Sequence, residues 1–359
     1  MNKLPLAIGC LLAFTVFVSP SSACTRAVLK TEEGTVLTGR SMDWMQDIGN
    51  NLWAFPRGMT RDGAAGPKSP KWESKYGSVI TTIYEMATVD GLNEKGLAIN
   101  ILYLAESDYG TVGDKPPMCI SMWGQYVLDN FATVAEAVRA LEKEPFRIVA
   151  PVLPNGSPAH GHLSMTDPTG DSAILEYIGG KLVIHHGPEY VVMTNSPEYA
   201  QQLAINSYWR SVGGTVFLPG TSRASDRFAR AWIGINAVPR TVDPDYIKAV
   251  PGGSLAVQGV ASVLGVIRSV SVPLGISTPG QPNIASTLWR TVSDSRSLVY
   301  YYDAATSPNT FWVELVKLDF APGSGAKRLQ LTGGKVYSGE TSDLFKPAEP
   351  FAPLTAAAK

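Results

Sequence analysis

The chain has 359 residues, of which 45% are apolar, 17% charged and 9% aromatic, a composition typical of a folded globular protein. Its 30 basic and 31 acidic side chains give a formal net charge of −1 without a long block of either sign, which argues against nucleic acid or a polybasic membrane contact as a partner. Glycine and proline are spread along the chain without a repeat, which argues against extended disorder.

Residues 1–23 have the pattern of a secretory signal peptide, in which an apolar run over residues 4–18 is followed by small residues ending at Ala23. This run is shorter than the about 20 residues of a membrane-spanning helix. We therefore expect a periplasmic or secreted protein that has no permanent membrane span and begins at Cys24 once the segment is removed. The alternative is a lipoprotein, although Ser21 is smaller than the aliphatic residue that lipoproteins usually carry three positions before the cysteine.

Removal of this segment leaves two cysteines, Cys24 and Cys119, which are too few for a disulfide framework. Cys119 lies in an apolar stretch with helical spacing, so we expect it to be a small buried residue of the core. A disulfide between the two cysteines is the weaker alternative.

The first predicted elements are a β-hairpin and, further on, a helical hairpin. Alternation of apolar and polar residues on both sides of a turn predicts the β-hairpin over residues 25–37. Apolar residues spaced three and four apart predict a helix over residues 120–131, and Thr133 with Glu136 in capping-box positions begins the next one. Between the hairpins, N-E-K-G-L predicts a strand-joining turn in which Gly96 takes a positive φ.

The second half of the chain begins with a predicted meander and continues with helices before strands resume. Strands are predicted over residues 160–166, 172–178, 182–186, 190–194, 297–302 and 311–318, and amphipathic helices around residues 228–235 and 260–267. Because strands and helices come in runs, we predict an α+β layered fold with a single domain over residues 24–359. From about residue 346 the Pro- and Ala-rich tail is expected to be an extended arm or a frayed end.

The sequence excludes several common catalytic motifs. It contains no G-x-S-x-G, P-loop, G-x-G-x-x-G or H-E-x-x-H pattern. The four histidines, His160, His162, His185 and His186, all lie within the predicted meander. His160 and His162 would share a strand face, but no convincing third metal ligand accompanies them. We therefore expect ordinary strand histidines, no metal and no cofactor.

An exposed amino-terminal cysteine would supply both a nucleophile and a base. The α-amino group has an unperturbed pKa of about 7.7 to 8.0 and lies close enough to take the thiol proton. The predicted hairpin would also bring Arg40 and Asp43 back beside Cys24. There Arg40 would favour the thiolate and Asp43 would hold the amine, whereas a surface ion pair is the alternative.

Five motifs occur in the order seen in the choloylglycine hydrolase family. They are Cys24-Thr25, G-R-S-M-D-W at residues 39–44, D-G-L-N-E-K-G-L at 90–97, M-T-N-S-P at 193–197 and D-R-F-A-R at 226–230. The chain resembles in particular the family's penicillin V acylase branch from Gram-negative bacteria, over essentially all of residues 24–359. This resemblance implies the four-layer αββα sandwich of amino-terminal nucleophile hydrolases, which agrees with the α+β prediction.

The resemblance also implies a role for each matching residue. Cys24 matches the nucleophile, and Arg40 and Asp43 match the residues around its thiol and amino group. Asn195 matches the side chain of the oxyanion hole, and Arg227 matches the arginine that supports the charged intermediate. Family members often form tetramers, so a homotetramer is implied as well.

One position bears on the substrate. Bile salt hydrolases of the family commonly carry an asparagine where this chain has Tyr103, whereas the penicillin V branch has an aromatic residue there. Tyr103 and Trp44 would form walls for an apolar acyl group, although a core role for either ring is equally open. We therefore predict a small-molecule amide partner with an apolar acyl group.

These observations predict a hydrolase that acts on linear amides. The leading prediction is a cysteine amidohydrolase that cleaves penicillin V, and also N-acyl homoserine lactones, through a thioester on Cys24. The first alternative is a conjugated bile salt hydrolase. An alternative of another class is a lipid-anchored periplasmic binding protein in which Cys24 is acylated.

Overall fold

The structure is a computed structural model that describes residues 24–276 and 285–356. The predicted signal peptide, residues 1–23, lies outside the described residues. In chain order the strands are β1 (Thr25–Lys30), β2 (Val36–Trp44), β3 (Leu52–Phe55), β4 (Thr60–Asp62), β5 (Lys71–Glu73), β6 (Ser78–Ile83), β7 (Ala87–Asn93), β8 (Ala98–Leu102), β9 (Pro117–Cys119), β10 (Arg147–Val149), β11 (His162–Thr166), β12 (Ser172–Ile178), β13 (Lys181–His186), β14 (Val192–Met193), β15 (Ser286–Asp294), β16 (Val299–Ala304), β17 (Thr310–Glu314), β18 (Lys327–Leu329), β19 (Gly339–Glu340) and β20 (Lys346–Pro347). The α-helices are α1 (Ile120–Asn130), α2 (Val134–Leu141), α3 (Tyr199–Val212), α4 (Ala224–Ala237) and α5 (Leu255–Ser269).

Two large sheets organise these strands. One has seven strands in the order β14-β1-β2-β15-β16-β17-β19, and the other has nine in the order β13-β12-β11-β8-β7-β6-β3-β18-β20. Most neighbours are antiparallel, and β17 with β19 is a parallel pair. The predicted hairpin is therefore present as β1 and β2, and β15 pairs along the other side of β2.

Helices cover the outer faces of both sheets. A Cβ at Gly39 of β2 would meet Val263 of α5, and a Cβ at Gly91 of β7 would meet Leu128 of α1. Side chains alternate along a strand, so the neighbouring Arg40 and Asp90 point inward, where they pair across the two sheets. The layers are thus helix, sheet, sheet and helix, the predicted αββα sandwich.

The structure departs from the sequence prediction at several places, among them the last strand of the meander, Cys119 and α3. The fourth strand of the meander is the two-residue β14, which pairs with β1 in the other sheet. Cys119 ends β9 immediately before α1 and is not helical, although it is buried as expected. Helix α3 is a further difference, since the apolar pattern of the sequence predicts no helix there.

The chain after Lys346 runs as an extended arm. Its start, β20, pairs with β18 at the edge of the nine-stranded sheet. Further along, Phe351 packs against Trp53 and Phe55 of β3, with ring centroids 5.7 and 5.9 Å away. Over residues 24–276 and 285–356, no helix is long and apolar enough to cross a membrane.

Candidate active site

Cys24 lies immediately before β1 and is buried. Its Sγ is 4.0 Å from Nη2 of Arg40, 3.9 Å from Sδ of Met42 and 3.8 Å from the carbonyl oxygen of Asp43. The hairpin register explains these contacts, because Thr25 is paired with Ser41. Antiparallel return of β2 therefore places its last residues around the thiol, as the sequence predicted.

Asn195 contacts the backbone of Cys24 from the other side. The amide nitrogen of Cys24 donates a hydrogen bond of 2.7 Å to Oδ1 of Asn195. Pairing of β14 with β1 brings Asn195 there, since it follows that strand by two residues. Nδ2 of Asn195 donates to the carbonyl oxygen of Tyr103 at 2.7 Å, so one of its two N–H bonds has no partner among the described residues.

Arg227, in the first turn of α4, ties these groups together. Its Nη2 donates to Oδ1 of Asn195 at 2.8 Å, and its Nη1 donates to the carbonyl oxygen of Cys24 and, at 2.6 Å, to Oγ1 of Thr25. The guanidinium is almost completely buried. Charge-assisted hydrogen bonds of this kind hold the start of β1 and Asn195 in one arrangement.

Arg40 and Asp43 bring opposite charges to the same place. The guanidinium of Arg40 lies 3.5 Å from Oδ2 of Asp90 and 4.3 Å from the ring centroid of Trp289. Oδ1 of Asp43 accepts a hydrogen bond of 2.6 Å from Oγ1 of Thr287. Its Oδ2 is buried and has no hydrogen-bond partner in the part of the chain that the structure describes.

Burial controls the ionisation of the two acidic groups. It raises the pKa of the Cys24 thiol, with the positive charge of Arg40 acting in the opposite direction. Burial also raises the pKa of Asp43 to about 6, against the charge of Arg227 and the hydrogen bond from Thr287. The resting thiol is therefore protonated, and a nearby base is needed to form the thiolate.

A cleft of about 570 Å³ opens beside the thiol. Its walls are mainly apolar side chains from β2, β6, β7, β8 and the first turn of α1. Both predicted substrate-wall residues line it, and the rings of Trp44 and Tyr103 meet edge-on with centroids 6.2 Å apart. Nε1 of Trp44 donates to the hydroxyl of Tyr84 at 2.7 Å, which fixes the orientation of the indole ring.

Of the seven residues predicted for the site, Cys24, Arg40, Trp44 and Tyr103 line the cleft. The other three, Asp43, Asn195 and Arg227, contact Cys24. The structure also adds residues that the sequence pattern does not mark. Asp90 and Thr287 hold Arg40 and Asp43, and Asp90 lies inside the D-G-L-N-E-K-G-L motif at residues 90–97. Leu354 also lines the cleft, although it belongs to the arm. No sequence signal marked Leu354, since contact between the chain end and the cleft depends on the tertiary fold.

The histidines have local partners. His162 lies 2.7 Å from Oε1 of Glu176 through Nδ1 and 2.8 Å from the carbonyl oxygen of Thr194 through Nε2. His160 stacks on the ring of Tyr103. Within residues 24–276 and 285–356, no three His, Cys, Asp or Glu side chains are grouped as metal ligands.

Comparison with known proteins shows which family the chain resembles. The model of the linear amide C–N hydrolases of the choloylglycine hydrolase family matches residues 24–328. The chain belongs to this family. It is therefore a hydrolase of linear amide C–N bonds, and the predicted resemblance is confirmed.

Three relatives show how similarity is distributed within the family. A penicillin V acylase from Pectobacterium atrosepticum is 47% identical, over 95% of this chain and 94% of its own. The structure of a penicillin V acylase from Agrobacterium tumefaciens is 51% identical, with a TM-score of 0.84 over 92% of this chain and all of that one. A bile salt hydrolase/transferase from Clostridium perfringens is 27% identical, over 69% of this chain and 82% of its own.

More distantly related structures share this fold. A variant of conjugated bile acid hydrolase from Clostridium perfringens has a TM-score of 0.70 at 21% identity, over 88% of this chain and 98% of that one. Together with the sandwich architecture, these neighbours confirm the predicted amino-terminal nucleophile hydrolase fold.

Proposed function

We propose that the protein is exported to the periplasm or secreted, loses residues 1–23, and acts as a cysteine amidohydrolase with Cys24 as its amino-terminal nucleophile. Its substrates on this proposal are penicillin V and N-acyl homoserine lactones, in which a linear amide joins an acyl group to a polar amine. The observation that carries the proposal is the position of Cys24, whose nitrogen contacts Asn195 while its thiol lies beside Arg40.

A free amino group at Cys24 would serve as the base for the thiol. An amine offers more hydrogen-bonding positions than the peptide N–H that donates to Asn195. Asp43 has a buried carboxylate oxygen without a partner among the described residues, and its charge is close enough to influence the thiol pKa. Asn195 and Asp43 together would orient the amine toward Sγ.

The proposed reaction requires no co-reactant other than water. The amine takes the proton from Sγ, the thiolate attacks the amide carbonyl carbon, and the carbonyl electron pair moves onto oxygen. The N–H of Asn195 that does not donate to Tyr103 stabilises this oxyanion, an interaction worth about 3 kcal/mol in comparable sites. Cleavage of the C–N bond leaves a thioester on Cys24, and the ammonium returns its proton to the departing amine.

Water completes the cycle. The amino group of Cys24 deprotonates it, hydroxide attacks the thioester, and the acid leaves as the thiol reforms. Arg227 contributes positive charge next to Asn195 throughout. One water is consumed, and the products are a carboxylic acid and an amine.

The apolar walls of the cleft favour a substrate with an apolar acyl group. Trp44 and Tyr103 present aromatic surface beside the thiol. Greater similarity to penicillin V acylases than to the bile salt hydrolase favours a phenoxyacetyl or linear acyl group over a steroid.

Amine release from three substrates tests the proposal. Protein that begins at Cys24 should cleave penicillin V and a long-chain N-acyl homoserine lactone but not glycocholate. Cys24→Ala should lower kcat by at least about 10³-fold because it removes the nucleophile, whereas Cys119→Ala, which alters the other buried thiol, should keep activity. Intact-mass spectrometry of acid-quenched reactions should find an acyl group on the Cys24 protein only.

Other outcomes would replace the proposal in specific ways. Cleavage of glycocholate alone would establish bile salt hydrolysis instead. No cleavage of any substrate, together with an acylated amino terminus in the exported protein, would favour the lipid-anchored binding protein. Full activity of a form with a methionine before Cys24 would exclude the α-amino group as base.

The family resemblance further leads us to infer a homotetramer. Tyr208 near the end of α3 is 63% exposed, and Phe217 in the loop after it is 59% exposed. Such neighbouring apolar side chains supply surface for contact between copies of the chain.

A further inference from the structure

The arm after β20 is fixed to the body of the protein by backbone contacts. The amide nitrogen of Leu354 donates 2.8 Å to the carbonyl oxygen of Met86, and that of Ala356 donates 3.0 Å to the carbonyl oxygen of Ala64. The carbonyl oxygen of Leu354 accepts from Oγ of Ser121 at 2.7 Å and from Sγ of Cys119 at 3.1 Å. These bonds hold Leu354 at one position in space.

The side chain of Leu354 forms part of the cleft wall. It lines the same cavity as Cys24, Trp44 and Tyr103. Its neighbour Met86 immediately precedes β7, and its neighbour Ser121 lies in the first turn of α1. The thiol instead contacts residues of β2. Leu354 and Cys24 therefore enter the cleft from different sets of elements.

The part of the chain that the family model matches ends at residue 328. The wall that Leu354 supplies thus comes from outside this shared part. Residues 348–356 also belong to no strand of either sheet, so a change in them leaves the strand pairing intact.

We propose that the arm, residues 348–356, closes the acyl end of the cleft and that Leu354 limits the size of the acyl group that is accepted. This inference rests on the proposed function, because it assumes that the acyl group occupies the apolar cleft. Truncation of Leu354 would extend the cleft by the volume of its branched methyl groups. A larger ring in its place would shorten the cleft.

A chain-length series tests the proposal. kcat/KM should be measured for N-acyl homoserine lactones with short and long acyl chains, using wild type, Leu354→Ala, Leu354→Phe and Thr355→Ala. We expect Leu354→Ala to shift the ratio of kcat/KM for long over short chains about tenfold toward long chains. Leu354→Phe should shift this ratio in the opposite direction. Shifts of this size are expected because a few methylene groups in an apolar pocket discriminate by such factors. Thr355, which is exposed, is the matched control and should leave the ratio unchanged.

A binding measurement separates this proposal from the proposed function. Calorimetric titration of Cys24→Ala protein with linear carboxylic acids of increasing length reports acyl binding without turnover, and Leu354→Ala in that background should prefer longer acids. An unchanged preference in both assays would overturn the role of the arm, as would an equal loss for all lengths. Absence of amide cleavage by wild type would instead overturn the proposed function, and the acid series would still decide about Leu354.

Discussion

At the scale of single residues, the site places opposite charges on side chains that are almost completely buried. Asp43, Arg40 and Arg227 are each at most 1% exposed. Burial disfavours the Asp43 carboxylate more than the two guanidinium groups favour it, so the pKa rises to about 6. This pKa applies when the Cys24 nitrogen is a peptide amide. A free ammonium group at Cys24 would lower the pKa of Asp43.

Stability should therefore depend on pH through Asp43. The folded-state pKa of about 6 lies above the ordinary value of 3.8, so the folded protein holds this proton more tightly than the unfolded chain does. The resulting stabilisation is fully present below about pH 4 and is lost as the pH rises to about 6, a change of about 3 kcal/mol. Urea unfolding of protein with a methionine before Cys24, from pH 4 to pH 7, measures it.

Asp43→Asn provides the comparison. It keeps the shape of the side chain but cannot ionise, so the difference in unfolding free energy between wild type and variant should fall across this range. A difference that is constant from pH 4 to pH 7 would contradict the raised pKa.

How far the sequence predicts the site depends on whether a contact is local to a paired element. Arg40 and Asp43 could be placed beside Cys24 because antiparallel return of a hairpin fixes which residues meet. The orientation of Asn195, whose oxygen accepts from Cys24, could not be predicted, since it depends on Arg227 from a distant helix. The same holds for Asp90 and Thr287, which reach the site from other strands.

At the scale of elements, one turn shows how the two sheets are brought into register. Gly96, in the turn between β7 and β8, has a φ of +85°, and a Cβ there would lie 2.1 Å from the carbonyl oxygen of Ser295. Ser295 belongs to the turn between β15 and β16. Two turns, one from each sheet, therefore touch at a point where only glycine fits.

Gly96→Ala should consequently destabilise the protein strongly. We expect a loss of about 3 kcal/mol in unfolding free energy, because strain from positive φ adds to a steric clash with backbone. Gly113→Ala is the matched control, since Gly113 also has a positive φ, of +57°, but no atom within 4 Å of its Cβ position. It should lose only about 1 kcal/mol. Equal losses in urea unfolding would contradict the contact between the turns.

Elements were predictable where burial and hydrophobicity coincide. The helices α1, α2 and α5 bury apolar residues at helical spacing, so the pattern is visible in the sequence. The buried residues of α3 are Tyr199, Gln202 and Asn206, two of which are polar, so the apolar period is absent. Strand β15 escaped prediction for the same reason, since it buries threonine and serine side chains among its apolar ones.

At the scale of the whole molecule, buried polar groups join the inner faces of the two sheets. Arg40 of β2 and Asp90 of β7 form an ion pair across the sandwich. The hydroxyl of Tyr300 on β16 donates to Asp90 at 2.6 Å and lies 2.8 Å from Oγ1 of Thr81 on β6. Elsewhere Arg26 of β1 donates to side chains of β11 and β12. Such contacts fix the relative position of the sheets, and the cleft lies between them.

Asp90→Asn should test this role directly. The substitution removes the only carboxylate in contact with Arg40 among the described residues, while both side chains are fully buried. Because an uncompensated buried charge is costly, we expect a loss of about 3 to 5 kcal/mol in unfolding free energy measured with urea. Activity should fall as well, since Asp90 holds the guanidinium that lies beside the Cys24 thiol.

An exposed ion pair supplies the control for Asp90. Glu314 and Lys317 lie 3.1 Å apart with side chains 31% and 44% exposed, so Glu314→Gln should cost less than about 1 kcal/mol. If Asp90→Asn proved equally mild, the ring of Trp289 and the carbonyl oxygen of Ile101 would have to compensate the charge of Arg40. A large loss in Asp90→Asn alone would mean that the ion pair supporting Arg40 beside the thiol also holds the two sheets together.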